Sequence, residues 1–194
     1  YLSAEGDLRV RLYNSATGSF TRQTDALSIT VYSAVTNSQQ GCVPVSLLTE
    51  YGSSTGNVSD LSKPDGRTVV TQSNADKKAA IQLGFETSAP LDSIRELTFT
   101  LRMKADGATN PQYISLLNKN TGRFAVIKTL SASETMETVY VTLDSLREIE
   151  QYLDDGQLTL RIYNSSTTSF TRELDFAQMT VTYGGFTRFT VAQI

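Results

Sequence analysis

The feature that most constrains the fold is an internal repeat at a spacing of 150 residues. Residues 156–181 reproduce residues 6–31 at 14 of 26 positions without a gap. A spacing of this length is about one domain, well above the 20–50 residues of a solenoid repeat. The sequence therefore predicts tandem modules. Residues 1–35 would be the C-terminal hairpin of a preceding repeat module, 36–185 a complete module, and 186–194 an exit strand or the start of a following module.

Alternation of apolar and polar side chains predicts that the complete module is built from β-strands. In residues 157–163, Leu158, Leu160 and Ile162 interleave with polar or aromatic residues, the period of two that is typical of a strand with one buried face. The same pattern, together with flanking turn residues, predicts further strands at 43–51, 67–73, 79–86, 97–103, 112–118, 123–130, 137–143 and 176–183.

Two connections between these strands carry local signals. Residues 119–122 are expected to form a hairpin loop, with Gly122 at the position that favours a positive φ. Residues 145–153 are expected to form one short helix, because Ser145 and Glu148 have the spacing of a capping box. Leu146, Ile149 and Leu153 would share one face of that helix, and Asp154-Asp155-Gly156 would turn the chain into the next strand.

The number and spacing of the strands indicate the fold class. About nine strands with a turn signal every 8–12 residues predict two packed antiparallel sheets. The expected fold is therefore all-β: an antiparallel β-sandwich (jelly roll) with one short helix, preceded by a β-hairpin that belongs to the preceding module.

The composition excludes several classes of function. The formal net charge is −3, with 17 basic and 20 acidic side chains, so the chain lacks the positive field expected of a nucleic-acid binder. The absence of histidine excludes Ser-His or Cys-His catalysis, and the absence of tryptophan removes the best platform for a sugar ring. The single cysteine, Cys42, allows no internal disulfide and is expected to be a buried side chain. No apolar stretch reaches the length of about 18 residues that a membrane span needs. From the lack of a catalytic set of residues, we expect a domain that is not an enzyme.

A set of short motifs in the complete module carries a family resemblance. They are Tyr-Gly-Ser-Ser-Thr-Gly at 51–56, Ser-Asp-Leu at 59–61, Asp-Gly at 65–66, Gly-Gln-Leu-Thr-Leu-Arg-Ile at 156–162, Asp175, and Thr-Val-Thr-Tyr at 180–183. Together they resemble jelly-roll modules, carbohydrate-binding-like in fold, of large secreted or cell-surface bacterial or archaeal proteins. The resemblance covers residues 46–185, and it implies a non-catalytic module with an extracellular or cell-surface location.

The repeated loop between the last two predicted strands supplies the candidate contact residues. Aromatic, amide and guanidinium groups at one end of a sandwich are able to hold a glycan, and they are equally able to contact a neighbouring module. Both interpretations stay open from the sequence. The residues concerned are Tyr163, Asn164, Ser165, Phe170 and Arg172.

Two further pairs of residues attract attention. Arg161 and Asp175 recur in the first copy of the repeat, and we expect an ion pair that links neighbouring strands of one sheet. Asp60 and Asp65 flank a short loop and offer oxygen atoms to a structural Ca²⁺, the one metal that the sequence suggests. No other cofactor is expected.

Two functions of different classes fit these observations. The first is a non-catalytic structural or adhesive repeat module that forms a stalk, array or filament, by contacts between modules or by addition of the 1–35 hairpin to a neighbouring chain. The alternative is a carbohydrate-binding module appended to a secreted hydrolase, with Tyr and Phe as the platform. The expected partners are copies of the chain, adjacent repeat modules or a glycan, without nucleic acid or a membrane span.

Overall fold

The described part of the chain is almost entirely β-structure. The structure is a computed structural model and describes residues 17–19 and 29–191. These residues contain eleven strands, one short helix, α1 (Leu146–Ile149), and two 3-10 turns at Val58–Leu61 and Leu91–Ser93. The strands are β1 (Ile29–Cys42), β2 (Ser46–Tyr51), β3 (Ser53–Thr55), β4 (Val69–Gln72), β5 (Lys78–Glu86), β6 (Ile94–Asp106), β7 (Gln112–Asn118), β8 (Arg123–Leu130), β9 (Glu137–Leu143), β10 (Gln157–Ser165) and β11 (Thr171–Val191).

The strands form two antiparallel sheets. One has five strands in the order β2-β5-β10-β7-β8, and the other has the order β3-β4-β11-β6-β9, with β1 also paired to β11. The repeated segment at 156–181 contains β10 and the first half of β11. β10 pairs with β5 and β7, whereas β11 pairs with β4 and β6. The segment that recurs in the sequence therefore provides the central strand of each sheet.

Inward-facing side chains of both sheets form one hydrophobic core. Leu158, Leu160 and Ile162 of β10 are all buried, as their alternation predicts. Phe85 of β5 and Phe99 of β6 meet edge to face, with ring centroids 5.8 Å apart, and join the two sheets. Burial of each such side chain contributes about 1.5–3 kcal/mol to stability. The lone thiol of Cys42 is also buried, and this burial raises its pKa.

The predicted fold class is confirmed as a β-sandwich of two antiparallel sheets with one short helix. The nine strands predicted in the complete module correspond to β2 and β4–β11, and β3 was not predicted. β1 begins within the hairpin predicted at 1–35 and continues past its end to Cys42. β11 continues without a break past position 185 as far as Val191. Most of the hairpin predicted at 1–35 and the last residues of 186–194 lie outside the described residues.

The predicted turns have the expected backbone conformation, whereas the predicted helix cap does not form. Gly122 has a φ of +64°, as its place in the hairpin loop requires. Asp155 and Gly156 have φ values of +46° and +76°, the signature of a tight type I′ turn. The predicted capping box is wrong, since the side chain of Ser145 makes no cap hydrogen bond. Its carbonyl oxygen instead accepts the N–H groups of Glu148 and Ile149.

The chain divides into two compact units. One, Ser33–Thr187, contains nearly all of the two sheets. The other consists of Tyr1–Tyr32 and Arg188–Ile194, most of which lies outside the described residues. None of the helices in the described part has the length and apolar character of a membrane-spanning helix.

Candidate functional site

The structure separates the five residues that the sequence suggested as one contact site. Asn164 and Phe170 are buried, with 0% and 4% of their surface exposed. Nδ2 of Asn164 donates to the carbonyl oxygens of Asn110 (3.1 Å) and Pro111 (3.3 Å), which fastens the loop before β7 to β10. Neither side chain is accessible to a ligand at the surface, so their assignment to a contact site is corrected to a structural role.

Arg172 is also a structural residue, because its guanidinium lies entirely inside the sandwich. Its Nε donates to Oε1 of Gln112 (3.0 Å) and its Nη1 donates to the carbonyl oxygen of Ile162 (3.2 Å). Burial lowers the pKa of Arg172 to about 10, so the side chain stays charged at neutral pH. Since β11 belongs to one sheet and these acceptors to the other, Arg172 ties the two sheets together.

Tyr163 and Ser165 are the two predicted contact residues that reach the surface. Both are half-buried and lie on the side of β10 that faces away from the core. They belong to the outer surface of the five-stranded sheet, which we call the outer face. Of the five predicted contact residues, these two are therefore the ones whose side chains are partly accessible on a sheet surface.

The predicted ion pair between Arg161 and Asp175 is wrong, because the two residues lie in different sheets. Arg161 pairs with Glu50 instead, with 3.3 Å between Nη1 and Oε1. Asp175 is buried at an irregularity in the pairing of β11 with β6, where it pairs with Arg102. Its Oδ1 also accepts the N–H of Gly66 at 2.8 Å, so Asp175 anchors the loop before β4.

The two carboxylates suggested as calcium ligands have separate partners. Oδ2 of Asp60 accepts the N–H of Asn57 at 2.8 Å and closes a 3-10 turn. Asp65 pairs with Arg67 at 3.0 Å, and hydrogen bonds from the backbone and side chain of Arg67 lower the pKa of Asp65. No group of three or more Asp, Glu or Cys side chains converges on one point among the residues that the structure describes.

Three tyrosines cross the outer face in one row. Tyr163 of β10 is paired with Tyr113 of β7 and with Ala80 of β5, and Ala80 is paired with Tyr51 of β2. The ring centroid of Tyr163 lies 6.2 Å from that of Tyr51 and 6.2 Å from that of Tyr113. Because Ala80 is small, the Tyr51 and Tyr163 rings can meet above it. We call Tyr51, Tyr113 and Tyr163 the tyrosine row.

A second row of polar side chains lies beside the tyrosine row. Glu50 is its centre, because Oε1 accepts a hydrogen bond from Arg161 (3.3 Å) and Oε2 accepts one from Nε2 of Gln82 (3.1 Å). The guanidinium carbon of Arg161 lies 4.4 Å from the ring centroid of Phe124 and 5.3 Å from that of Tyr163. Both distances are within the range of a cation–π contact. We call Glu50, Gln82 and Arg161 the charged row.

A β-bulge in β2 brings the two rows together. The pairing of β2 with β5 shifts between Thr49 and Tyr51, which leaves Glu50 as an extra residue. In a regular strand, consecutive residues point to opposite faces of the sheet. The bulge instead lets the consecutive residues Glu50 and Tyr51 both contact side chains of the outer face.

Beneath the charged row lie buried polar atoms that have no hydrogen-bond partner among the described residues. Ser115 of β7 is paired with Arg161, and its Oγ and the Nε of Arg161 are both buried without a hydrogen-bond partner in the described part of the chain. Each buried polar atom of this kind costs about 1–3 kcal/mol.

The sequence points to only part of this face. Tyr163 and Arg161 were noticed because they recur in the repeat, although in other roles. Their neighbours were missed, because they come from strands far apart in the sequence. The one signal for these residues is the alternation along each predicted strand, which places them on its outward side. That alternation does not say which strands are adjacent in the sheet. The missed residues are Glu50, Tyr51, Gln82, Tyr113 and Phe124.

Comparisons with known proteins find similarity in structure. No protein-family model and no curated protein matches the sequence. A mutant of a family 29 carbohydrate-binding module is 11% identical, with a TM-score of 0.46, and the match covers 76% of this chain and 92% of that one. A complex of such a module with cellulohexaose is 12% identical (TM-score 0.40, covering 79% and 91%), and one with mannohexaose is 11% identical (0.41, covering 82% and 93%). At these values the similarity says nothing about the ligand of this chain.

Proposed function

We propose that this chain is a non-catalytic glycan-binding module and that its ligand lies on the outer face. The observation that carries the proposal is the tyrosine row directly beside the charged row on one sheet surface. Aromatic rings pack against the C–H groups of a sugar, and carboxylate, amide and guanidinium groups exchange hydrogen bonds with its hydroxyls. Because the charge of Arg161 is matched by Glu50, the face suits a neutral glycan.

The internal repeat supports a binding role for this face. Five residues of β10 face outward. Three of them, Arg161, Tyr163 and Ser165, have an identical residue 150 positions earlier in the first copy of the repeat, whereas residues 157 and 159 do not. Core packing explains why buried residues recur, but it gives no reason for the recurrence of partly exposed ones. A ligand held in common by both copies does give such a reason.

The carboxylates of the outer face favour binding over catalysis. A glycosidase uses two carboxyl groups on either side of the bond that is cleaved, about 5–9.5 Å apart. Glu50 is the carboxylate of the charged row, and both of its oxygens accept hydrogen bonds from neighbouring side chains. We therefore propose that a bound glycan leaves unchanged, as expected for an extracellular or cell-surface binding module.

Isothermal titration with cellohexaose and mannohexaose tests this proposal. We expect at least one of the two to bind, with micromolar to millimolar dissociation constants, and we expect no new reducing ends after prolonged incubation. Sucrose at the same concentrations is the control for nonspecific effects. Absence of binding to both hexasaccharides and to a wider panel of soluble plant and microbial polysaccharides would overturn the glycan-binding proposal.

A second proposed function is assembly into an array of modules. In this proposal residues 1–35 end a preceding module and 36–185 form a complete one, as the repeat suggests. The edge strand β2 and the segment before it also favour assembly. Val45 and Leu48 are 53% and 59% exposed, and they lie beside a strand edge that no other strand of the described residues pairs with. Sedimentation velocity should then reveal oligomers that grow with concentration, and a monomer at all concentrations would count against assembly.

A further inference from the structure

A cleft at one end of the sandwich adjoins the outer face. It consists of two depressions of about 440 Å³ and about 300 Å³, and Lys119 lines both of them. Leu117 and Thr159 line the smaller depression. They also face the same side of the sheet as Ser115 and Arg161, from which they are two residues away on β7 and β10. The cleft and the outer face therefore form one continuous surface.

Backbone hydrogen bonds fix the walls of this cleft. Between Asp154 and Gln157, two bonds close the type I′ turn, with N–H to carbonyl oxygen distances of 2.9 and 2.8 Å. The N–H of Thr87 donates to the carbonyl oxygen of Gly156 at 2.8 Å, which joins this turn to the segment after β5. On the other side, the Lys119 N–H donates to the carbonyl oxygen of Gln151 at 2.8 Å. The cleft is thus held in shape before any ligand arrives, which lowers the entropy cost of binding.

The lining of the cleft combines an apolar floor with a polar rim. Ala89 and Leu153 are buried side chains that line the larger depression. At the rim, Nζ of Lys119 donates to the carbonyl oxygen of Leu153 at 2.9 Å and lies 4.0 Å from Oδ1 of Asp154. The Asp154 side chain is 77% exposed, so its carboxylate has free acceptor positions. An ammonium and a carboxylate side by side match a pair of neighbouring hydroxyls, one of which accepts a hydrogen bond while the other donates one.

We propose that this cleft is a second glycan subsite, which binds a neutral sugar unit through hydroxyls on Lys119 and Asp154. The inference rests on the proposed function of the outer face, because the same chain of sugars would run from the tyrosine row past Leu117 to the cleft. Tyr163 and Gln157 are six residues apart on β10, about 20 Å at about 3.3 Å per residue. A long oligosaccharide is therefore able to occupy both subsites, whereas a disaccharide occupies one.

Titration of the full chain with mannohexaose, cellohexaose and their disaccharides tests this subsite. Lys119→Ala should weaken hexasaccharide binding about tenfold, as expected for the loss of one hydrogen bond to a charged group. It should leave the affinity for a disaccharide that binds on the outer face unchanged. Lys63→Ala is the matched control, because Lys63 is exposed in the loop before β4, which packs against the other sheet. This control should change neither affinity.

Backbone amide chemical shifts, recorded during the same titrations, separate the two proposals. The hexasaccharide should shift the amides of Arg161 and Tyr163 and also those of Lys119 and Gly156. Shifts confined to Arg161 and Tyr163, with an unaltered affinity in Lys119→Ala, would overturn the second subsite while leaving the binding face intact. Absence of shifts in both regions would overturn both proposals together.

Discussion

Replacing Arg102 by alanine is expected to lower the free energy of unfolding by about 3 kcal/mol. The reason is the carboxylate of Asp175, which is 2% exposed and has the Arg102 guanidinium as its ion-pair partner. Without that partner, the hydrogen bond from the N–H of Gly66 is the one that the described residues would still give this buried charge. Urea denaturation followed by circular dichroism measures the effect as a shift of the unfolding midpoint.

The neighbouring pair on the same strands provides the control. Lys104 pairs with Glu173 at 3.0 Å, and both side chains are partly exposed, so Lys104→Ala should cost less than about 1 kcal/mol. The double variant Arg102→Ala/Asp175→Asn should be more stable than Arg102→Ala alone, because asparagine has no charge to bury. A double variant no more stable than the single one would show that the buried charge is not the cause.

Replacing Tyr163 by alanine is expected to weaken glycan binding about tenfold to hundredfold, equivalent to about 1.4–2.7 kcal/mol at 25 °C. Tyr163 is the central ring of the tyrosine row, and its ring also contacts the guanidinium of Arg161. The change therefore removes the middle of the aromatic platform and one of the two rings that hold Arg161 in place. Isothermal titration with the hexasaccharide that binds the unaltered chain measures the loss.

Two companion variants determine whether this loss is specific. Tyr140 is 63% exposed on β9 of the other sheet, so Tyr140→Ala removes an equal ring and should leave binding unchanged. Tyr163→Phe keeps the ring and should retain most of the affinity. Equal losses of affinity in Tyr140→Ala and Tyr163→Ala, or an unchanged affinity in both, would show that the glycan does not bind on the outer face.

The sequence predicts the strands well because their signal is local. Leu158, Leu160 and Ile162 alternate with polar residues over seven positions, and the structure buries all three. The hairpin loop ending at Gly122 and the turn at Asp155 are likewise written in a few adjacent residues. The failed capping box is also a local feature, but the spacing of Ser145 and Glu148 permits that hydrogen bond without requiring it.

The outer face was not predictable to the same extent, because it depends on contacts over long distances in the chain. Glu50 and Arg161 are separated by 111 positions, and no pattern in the sequence says that β2 and β10 lie on either side of β5. The bulge adds a further difficulty. Strict alternation assigns Glu50 and Tyr51 to opposite faces, whereas the shift in pairing gives both residues contacts on one face.

Polar residues of the repeated loop lie in the interior, contrary to the prediction, for a physical reason. Polarity usually indicates exposure, so Asn164 and Arg172 suggested a surface that meets a ligand. The fold instead buries them. Backbone carbonyls and Gln112 accept hydrogen bonds from Nδ2 of Asn164 and from Nε and Nη1 of Arg172. Their recurrence in both copies thus reflects the interior of the sandwich, while that of Tyr163 and Arg161 concerns its surface.

The central position of β10 and β11 has a consequence for any chain that carries their sequence twice. While such a chain folds, two closely similar segments can compete for the same places in the two sheets, and exchange between them would entangle neighbouring modules. Differences at buried positions oppose that exchange. Leu174 is fully buried, and the first copy has Thr24 at the equivalent place, where a hydroxyl would lose its contact with water. Divergence between the copies at such positions is therefore expected to disfavour the exchange.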